Sequence, residues 1–133
     1  MKKLLITPDN FTPPMGAYSH GVMVELADAT LIFMTGQLAL DQNGNLVSDD
    51  VEVQTDYVFE RIKTILGCSA ATLTDVVKAQ IFLTDIDDFS KVSAIRNRYF
   101  ADSRPVSTLV AVSALAKAGC KVEVEVIAIK ARN

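Results

Sequence analysis

The chain has 133 residues and a net charge of −3, with thirteen basic against sixteen acidic side chains. That length fits a single domain spanning 1–133, and the acidic balance without a Lys/Arg cluster lacks the electrostatic footprint of a nucleic-acid binder. No apolar run approaches the roughly 18 residues of a membrane span, and the opening Met1–Ile6 is too short for a signal peptide, so a soluble, cytoplasmic protein is expected.

Two cysteines, Cys68 and Cys120, stand in no metal-like spacing and have no histidine beside them. Small buried or half-exposed thiols are the expectation for both, with no metal site. Half of the residues are hydrophobic. This leaves apolar surface to spare, which points to burial against sister subunits.

In chain order, Lys2–Thr7 reads as a short strand, and the proline-rich stretch from Pro8 to Ala17 as loop. Gly21–Leu26 and Leu31–Thr35 are apolar strand runs separated by a hairpin turn from Ala27 to Thr30. Asn43-Gly44 is the strongest turn signal. Asp49 and Asp50 offer N-caps for a helix to about Leu66, ending at Gly67. Val51, Val58, Ile62, Ile65 and Leu66 form its inner face, leaving Glu52, Asp56, Glu60, Arg61 and Lys63 mostly outside. Thr72 to Asp75 predicts one capped turn leading into a strand, Val76–Thr84. A second helix is expected from Asp88 to about Ala101, with Phe89, Val92, Tyr99 and Phe100 inward. Asp87 is then most simply its N-cap. Strands Val106–Val112 and Lys121–Lys130 close the chain. The order β-β-β-α-β-α-β-β implies an α+β domain with both helices on one face of the sheet.

Alternation in the last strand separates Val122, Val124, Val126 and Ala128, facing the helices, from Glu123, Glu125, Ile127 and Ile129. Two carboxylates followed by two isoleucines fit a partly buried face, at a subunit contact or a pocket; two surface charges at the start of an interface strand fit as well. If the last two strands pair through a turn from Ser113 to Cys120, Ser107 and Glu123 or Glu125 share a face. The loop from Gly16 to Gly21 brings Tyr18 together with His20, the only histidine. A solvated or capping role is the simpler reading of His20. Gly36 sits where a strand ends, and a glycine there lets a ligand reach a backbone N–H.

Taken together and in order, these segments resemble the RidA (YjgF, L-PSP endoribonuclease-like) family. The likeness runs through Gly16-Ala17-Tyr18-Ser19-His20-Gly21, Thr35-Gly36-Gln37, Asp75–Lys78, Phe82–Asp85, Asp87-Asp88-Phe89 and Val122–Ala128. It implies a chorismate-mutase-like subunit, assembling as a homotrimer around a central β-barrel with a small-molecule cleft between subunits. It also implies cofactor-free hydrolysis of reactive enamines or imines, with Glu123 orienting the attacking water. Tyr18, Thr35 and Gly36 would form the cleft wall, and Leu109 would present its backbone carbonyl.

The chain departs from the family pattern at three places. Ser107, in Pro105-Val106-Ser107-Thr108, stands where the family's P-A-R motif has an arginine that grips a substrate carboxylate. Arg104 lies three residues earlier, on the other side of the alternation, and is a poor substitute. His20 replaces a glutamine and Asp87 an asparagine, which makes the cleft more ionisable. A hydroxyl gives one neutral hydrogen bond where a guanidinium gives two charge-assisted ones. Weak or absent deamination of 2-aminoacrylate, a carboxylate substrate, is therefore expected. Three activities remain open: a hydrolase with a different substrate, a non-catalytic metabolite-binding module, and a ribonuclease, translation inhibitor or holdase.

Overall fold

In the computed structural model, which describes residues 1–132, the chain forms β1 (Lys2–Ile6), β2 (Gly21–Glu25), β3 (Ala29–Met34), α1 (Val51–Gly67), β4 (Val76–Leu83), α2 (Phe89–Tyr99), β5 (Val106–Ala111) and β6 (Val122–Ala131). The strands make one mixed sheet in the order β1-β2-β3-β6-β4-β5. All neighbours are antiparallel except β4 and β5. The chain thus crosses twice between parallel strands, from β3 to β4 through α1 and from β4 to β5 through α2. Both crossovers advance in the same direction across the sheet. Because such connections are right-handed, both helices land on the same face, as expected from the element order.

That face is the core. Val122, Val124, Val126 and Ala128 of β6 are buried, packed with Ile32, Ala79, Ile81 and Leu83 against Val58, Phe59, Ile62, Ile65 and Leu66 of α1. Each fully buried aliphatic or aromatic side chain contributes about 1.5–3 kcal/mol. Asp50 caps α1, accepting from the N–H groups of Glu52 (2.8 Å) and Val53 (3.1 Å). The helices are joined by Tyr99, which stacks on Phe59 at 4.7 Å and places its single O–H between the carboxylates of Asp56 (2.6 Å) and Glu60 (2.9 Å). Burial, together with these two carboxylates, holds the Tyr99 phenol well above its ordinary range.

The opposite face of the sheet has no covering layer within the chain. Leu5 is 66% exposed there, Phe33 41% and Ile129 43%, with Val106 and Val110 also open.

Four expectations are corrected. Arg61 is not on the outer face of α1 but buried, at 7% exposure. Phe89 is 46% exposed rather than inward, and Ile95 takes the inner position on α2. Asp87 does not cap α2: the cap position is Asp88, whose side chain makes no capping bond, and Asp85 accepts from the Asp87 N–H at 2.9 Å. Finally, β5 and β6 do not pair, because β4 lies between them.

Candidate functional site

The site grows from one irregularity at the end of β3. After Met34 the chain leaves the ladder, then rejoins β6 through an isolated bridge between Gln37 and Val124. Gln37 N–H donates to Val124 O at 2.8 Å, and Val124 N–H returns a bond to Gln37 O at 3.2 Å. This bridge presses Gly36 against the Glu123 side chain. A Cβ at Gly36 would lie 2.7 Å from Glu123 Cδ and 2.9 Å from Cγ, closer than side chains pack. Gly36 lets the carboxylate lie against the backbone, and a side chain at this position would displace the Glu123 carboxylate from where it now sits.

Thr35 fastens the other wall. Its N–H donates to His20 O at 2.9 Å and its hydroxyl to Ser19 O at 2.6 Å. The 11–20 loop is thereby laid beside Gly36, and Tyr18 stands half in solvent with its hydroxyl accepting from Met15 N–H at 3.0 Å. Tyr18, Thr35 and Gly36 line one small cavity of about 40 Å³, with Thr12, His20 and Arg61 also in its wall. His20 is buried rather than solvated: its Nε2 lies 2.6 Å from Thr12 O, its ring meets Phe11 edge-on at 5.1 Å, and its Nδ1 has no partner. Because a carbonyl only accepts, Nε2 carries the proton shared with Thr12 O.

Behind this wall lies Arg61, which sequence reasoning set in solvent. Its Nε donates to Gln37 Oε1 (3.1 Å), and its Nη1 to Thr12 Oγ1 (3.2 Å) and Leu40 O (2.9 Å). The guanidinium also sits 4.0 Å above the Phe11 ring. Burial pushes it below its ordinary value, opposed by the Tyr57 phenol. The ion pairs found among the described residues, Lys63–Glu60, Arg98–Asp56 and Arg132–Glu25, do not include it. The helical spacing Gln54, Val58, Arg61, Ile65 was the available signal, since it runs two polar side chains along the buried stripe of α1. Gln54 plays a similar fastening part, bonding Ser48 O, Gly119 O and Lys121 N–H.

Glu123 is half-buried. Burial, and secondarily the Glu125 charge, pushes its carboxyl above the ordinary value. The same burial makes Cys120 a poor thiolate, its thiol raised mainly by desolvation. Cys68 is exposed, and both cysteines are free.

The remaining expected site residues lie apart from this cluster. Ser107 pairs across β4 with Ala79, which pairs with Val126, whereas Glu123 pairs with Phe82, which pairs with Val110. Ser107, Leu109 and Ala111 therefore point to the helix side and Glu123 to the open side, so the expectation that Ser107 shares a face with Glu123 or Glu125 is overturned. Both Ser107 and Arg104 line a cavity of about 670 Å³, bounded by Arg96, Asn97, Phe100 and Pro105. Arg104 precedes β5 with φ +47°, a left-handed conformation that strand alternation does not govern. It consequently reaches the same cavity as Ser107 rather than the other side. Leu109, half-buried, packs against the core. Asp87 lies exposed in the short 3-10 turn Ile86–Asp88 beyond the end of β4.

Comparison with known proteins places these features in a family. The family described as Endoribonuclease L-PSP matches residues 10–130. A RutC family protein of Pyrococcus abyssi is 37% identical over 98% of this chain and 99% of its own length. The bovine 2-iminobutanoate/2-iminopropanoate deaminase is 37% identical over 87% of this chain and 82% of its own. A Thermotoga maritima crystal structure superposes with a TM-score of 0.87 at 36% identity, covering 98% of each chain.

Proposed function

The chain belongs to the Endoribonuclease L-PSP family, which includes RidA- and YjgF-type proteins, and from that premise we propose that it is a cofactor-free hydrolase of a small imine or enamine. Glu123 is the general base. The observation that carries the proposal is Glu123 itself: a half-buried carboxylate packed on Gly36, with its pKa raised by burial and no cation in bonding distance among the described residues. A carboxylate with a raised pKa is a stronger base toward water than an ordinary one. Similarity to an iminobutanoate/iminopropanoate deaminase supports the reaction class.

The steps balance as a hydrolysis. Glu123 takes a proton from water as the oxygen bonds to the imine carbon and the C=N electron pair moves to nitrogen, and it then returns that proton to the nitrogen to give a neutral carbinolamine. Glu123 next takes the carbinolamine hydroxyl proton and delivers it to the amine as the C–N bond breaks, so the C=O bond forms, ammonia leaves with the C–N electron pair, and the carboxylate is regenerated. The backbone N–H of Gly36 and the Tyr18 phenol orient the substrate.

The cleft is completed by a second copy of the chain in a homotrimer. Two observations support this: Glu123, packed on Gly36, faces the open side of the sheet while Ser107 and Leu109 lie on edge strand β5 facing the other way, and the open sheet face carries Leu5, Phe33, Val110 and Ile129. Ser107, Leu109 and Asp87 are in this reading the part of the substrate site lent by the neighbour.

Substrates with a carboxylate at the position an arginine at 107 would reach are bound weakly. Loss of a desolvated charged partner costs about 3–5 kcal/mol. The exposed Arg104 offers about 0–1 kcal/mol in return, because water screens it.

The test generates 2-iminopropanoate in situ and follows ammonia release. A slow acceleration that disappears in Glu123→Ala supports the reading. Wild-type acceleration untouched by Glu123→Ala would refute the base assignment. A protein inert to imines with and without a carboxylate, but binding small metabolites by native mass spectrometry, would instead make it a binding module. A monomer mass by light scattering at micromolar concentration would refute the shared cleft.

A further inference from the structure

We infer that Arg61 and Gln37 form a buried relay that positions Thr35 and Gly36, and through them Glu123; the inference rests on the reading of that cluster as a ligand site. Gln37 is 2% exposed, so its amide must satisfy its bonds inside the protein. Arginine donates and never accepts, so the Gln37 carbonyl has to face Arg61 Nε (3.1 Å). This fixes the amide orientation and leaves the NH₂ group for Thr35 O, to which it donates at 2.8 Å. The backbone of Gln37 meanwhile exchanges both bonds with Val124, the residue after Glu123. One side chain thus determines where the Thr35–Gly36 peptide lies relative to the strand that carries the carboxylate.

Arg61 also ties the second wall. Its Nη1 bonds Thr12 Oγ1, whose hydroxyl donates to Asp41 O, and Thr12 O is the partner of His20 Nε2. From α1, a single guanidinium therefore holds the loop bearing Tyr18 and the segment bearing Gly36 in mutual register. Arg61 makes no ion pair among the described residues. A residue needed only for packing would avoid burying an unneutralised charge, since an apolar side chain of similar volume is as stable or more so. Its burial is explained by three hydrogen bonds from Nε and Nη1, to Gln37, Thr12 and Leu40, which tie the loop bearing Tyr18 and the segment bearing Gly36 together.

Gln37→Glu separates this positioning role from simple packing. The variant keeps and strengthens the contact to Arg61 but has no N–H to give Thr35 O. We expect a folded protein in which the Thr35 and Gly36 amide resonances move in a ¹⁵N–¹H spectrum while those of β1 stay fixed. In the imine assay kcat is expected to fall about tenfold to a hundredfold with a smaller change in KM, because a misplacement of about 1 Å costs rate more than binding. Arg61→Lys, which retains one donor for Gln37, is expected to shift the same two resonances less than Arg61→Met does. Gln37→Met, of similar shape and without either polar group, reads the same resonances should the glutamate variant fold poorly. Thr35 and Gly36 resonances that superpose on wild type in the Gln37 variants would overturn the relay. Shifted resonances with no imine hydrolysis by the wild type would keep the relay and refute the hydrolase.

Discussion

The wall around Glu123 and the strand bearing Ser107 belong to the same sheet but are made by opposite means. At the first, a threonine and a glutamine are locked by short hydrogen bonds on either side of Gly36, and a buried arginine ties the wall to α1. At the second, β5 is an edge strand with Ser107 exposed beside an open cavity of about 670 Å³. In the tight region a new side chain at Gly36 would displace the Glu123 carboxylate, whereas the open one changes at little cost to the fold. A site divided in this way keeps the reacting group rigid and lets recognition vary. In the proposed reading, position 107 can carry different side chains without disturbing the core.

The sharpest way to break this comparison is Gly36→Ala. The new methyl meets the Glu123 side chain, so one of them must move. Because the displaced group is the flexible end of Glu123, we expect little change in stability by chemical denaturation but at least a hundredfold loss of imine hydrolysis. Glu123→Gln leaves the shape and removes the base, lowering the rate by about 10²–10⁴. Its stability effect has a definite sign. The folded-state pKa of Glu123 lies above its unfolded value, so its ionised form costs stability above the folded pKa, and that cost fades as pH falls and is gone below the ordinary glutamate value. Glu123→Gln should therefore be more stable than wild type at neutral pH, with the gap closing as the solution is acidified, as thermal melts across pH will read.

On the open side, Ser107→Arg is expected to raise kcat/KM for 2-iminopropanoate by about a hundredfold, the scale of one charged partner, with little change in melting temperature. Smallest is Glu125→Gln. Because Glu125 is the secondary cause of the raised Glu123 pKa, its neutralisation should move the acid limb of the pH–rate profile toward lower pH.

Much of the fold was legible from periodicity. The alternation of Val122, Val124, Val126 and Ala128 identified the core face of β6, and the spacing of Val58, Ile62 and Ile65 identified that of α1, because burial imposes those periods directly. Pairing was less so. The Ser113–Cys120 connection invited a hairpin, yet the right-handed β4-α2-β5 crossover puts β5 beside β4, and nothing local to those residues records it. In the site, Gly36 beside Glu123 followed from matched segments, not from the local pattern. Arg61 was misread because a charged residue on a helix defaults to solvent, and only the distant Thr12, Gln37 and Leu40 supply its partners. Asp87 was misread as a cap because its neighbour Asp85 turns the chain first.

The central claim is that Glu123 and position 107, on opposite faces of one chain, act on the same substrate. Ammonia release from 2-iminopropanoate by Ser107→Arg, with and without Glu123→Gln, tests it most directly. The account predicts that Ser107→Arg accelerates release over wild type and that adding Glu123→Gln returns it to the buffer rate. Undiminished release by the double variant would contradict it.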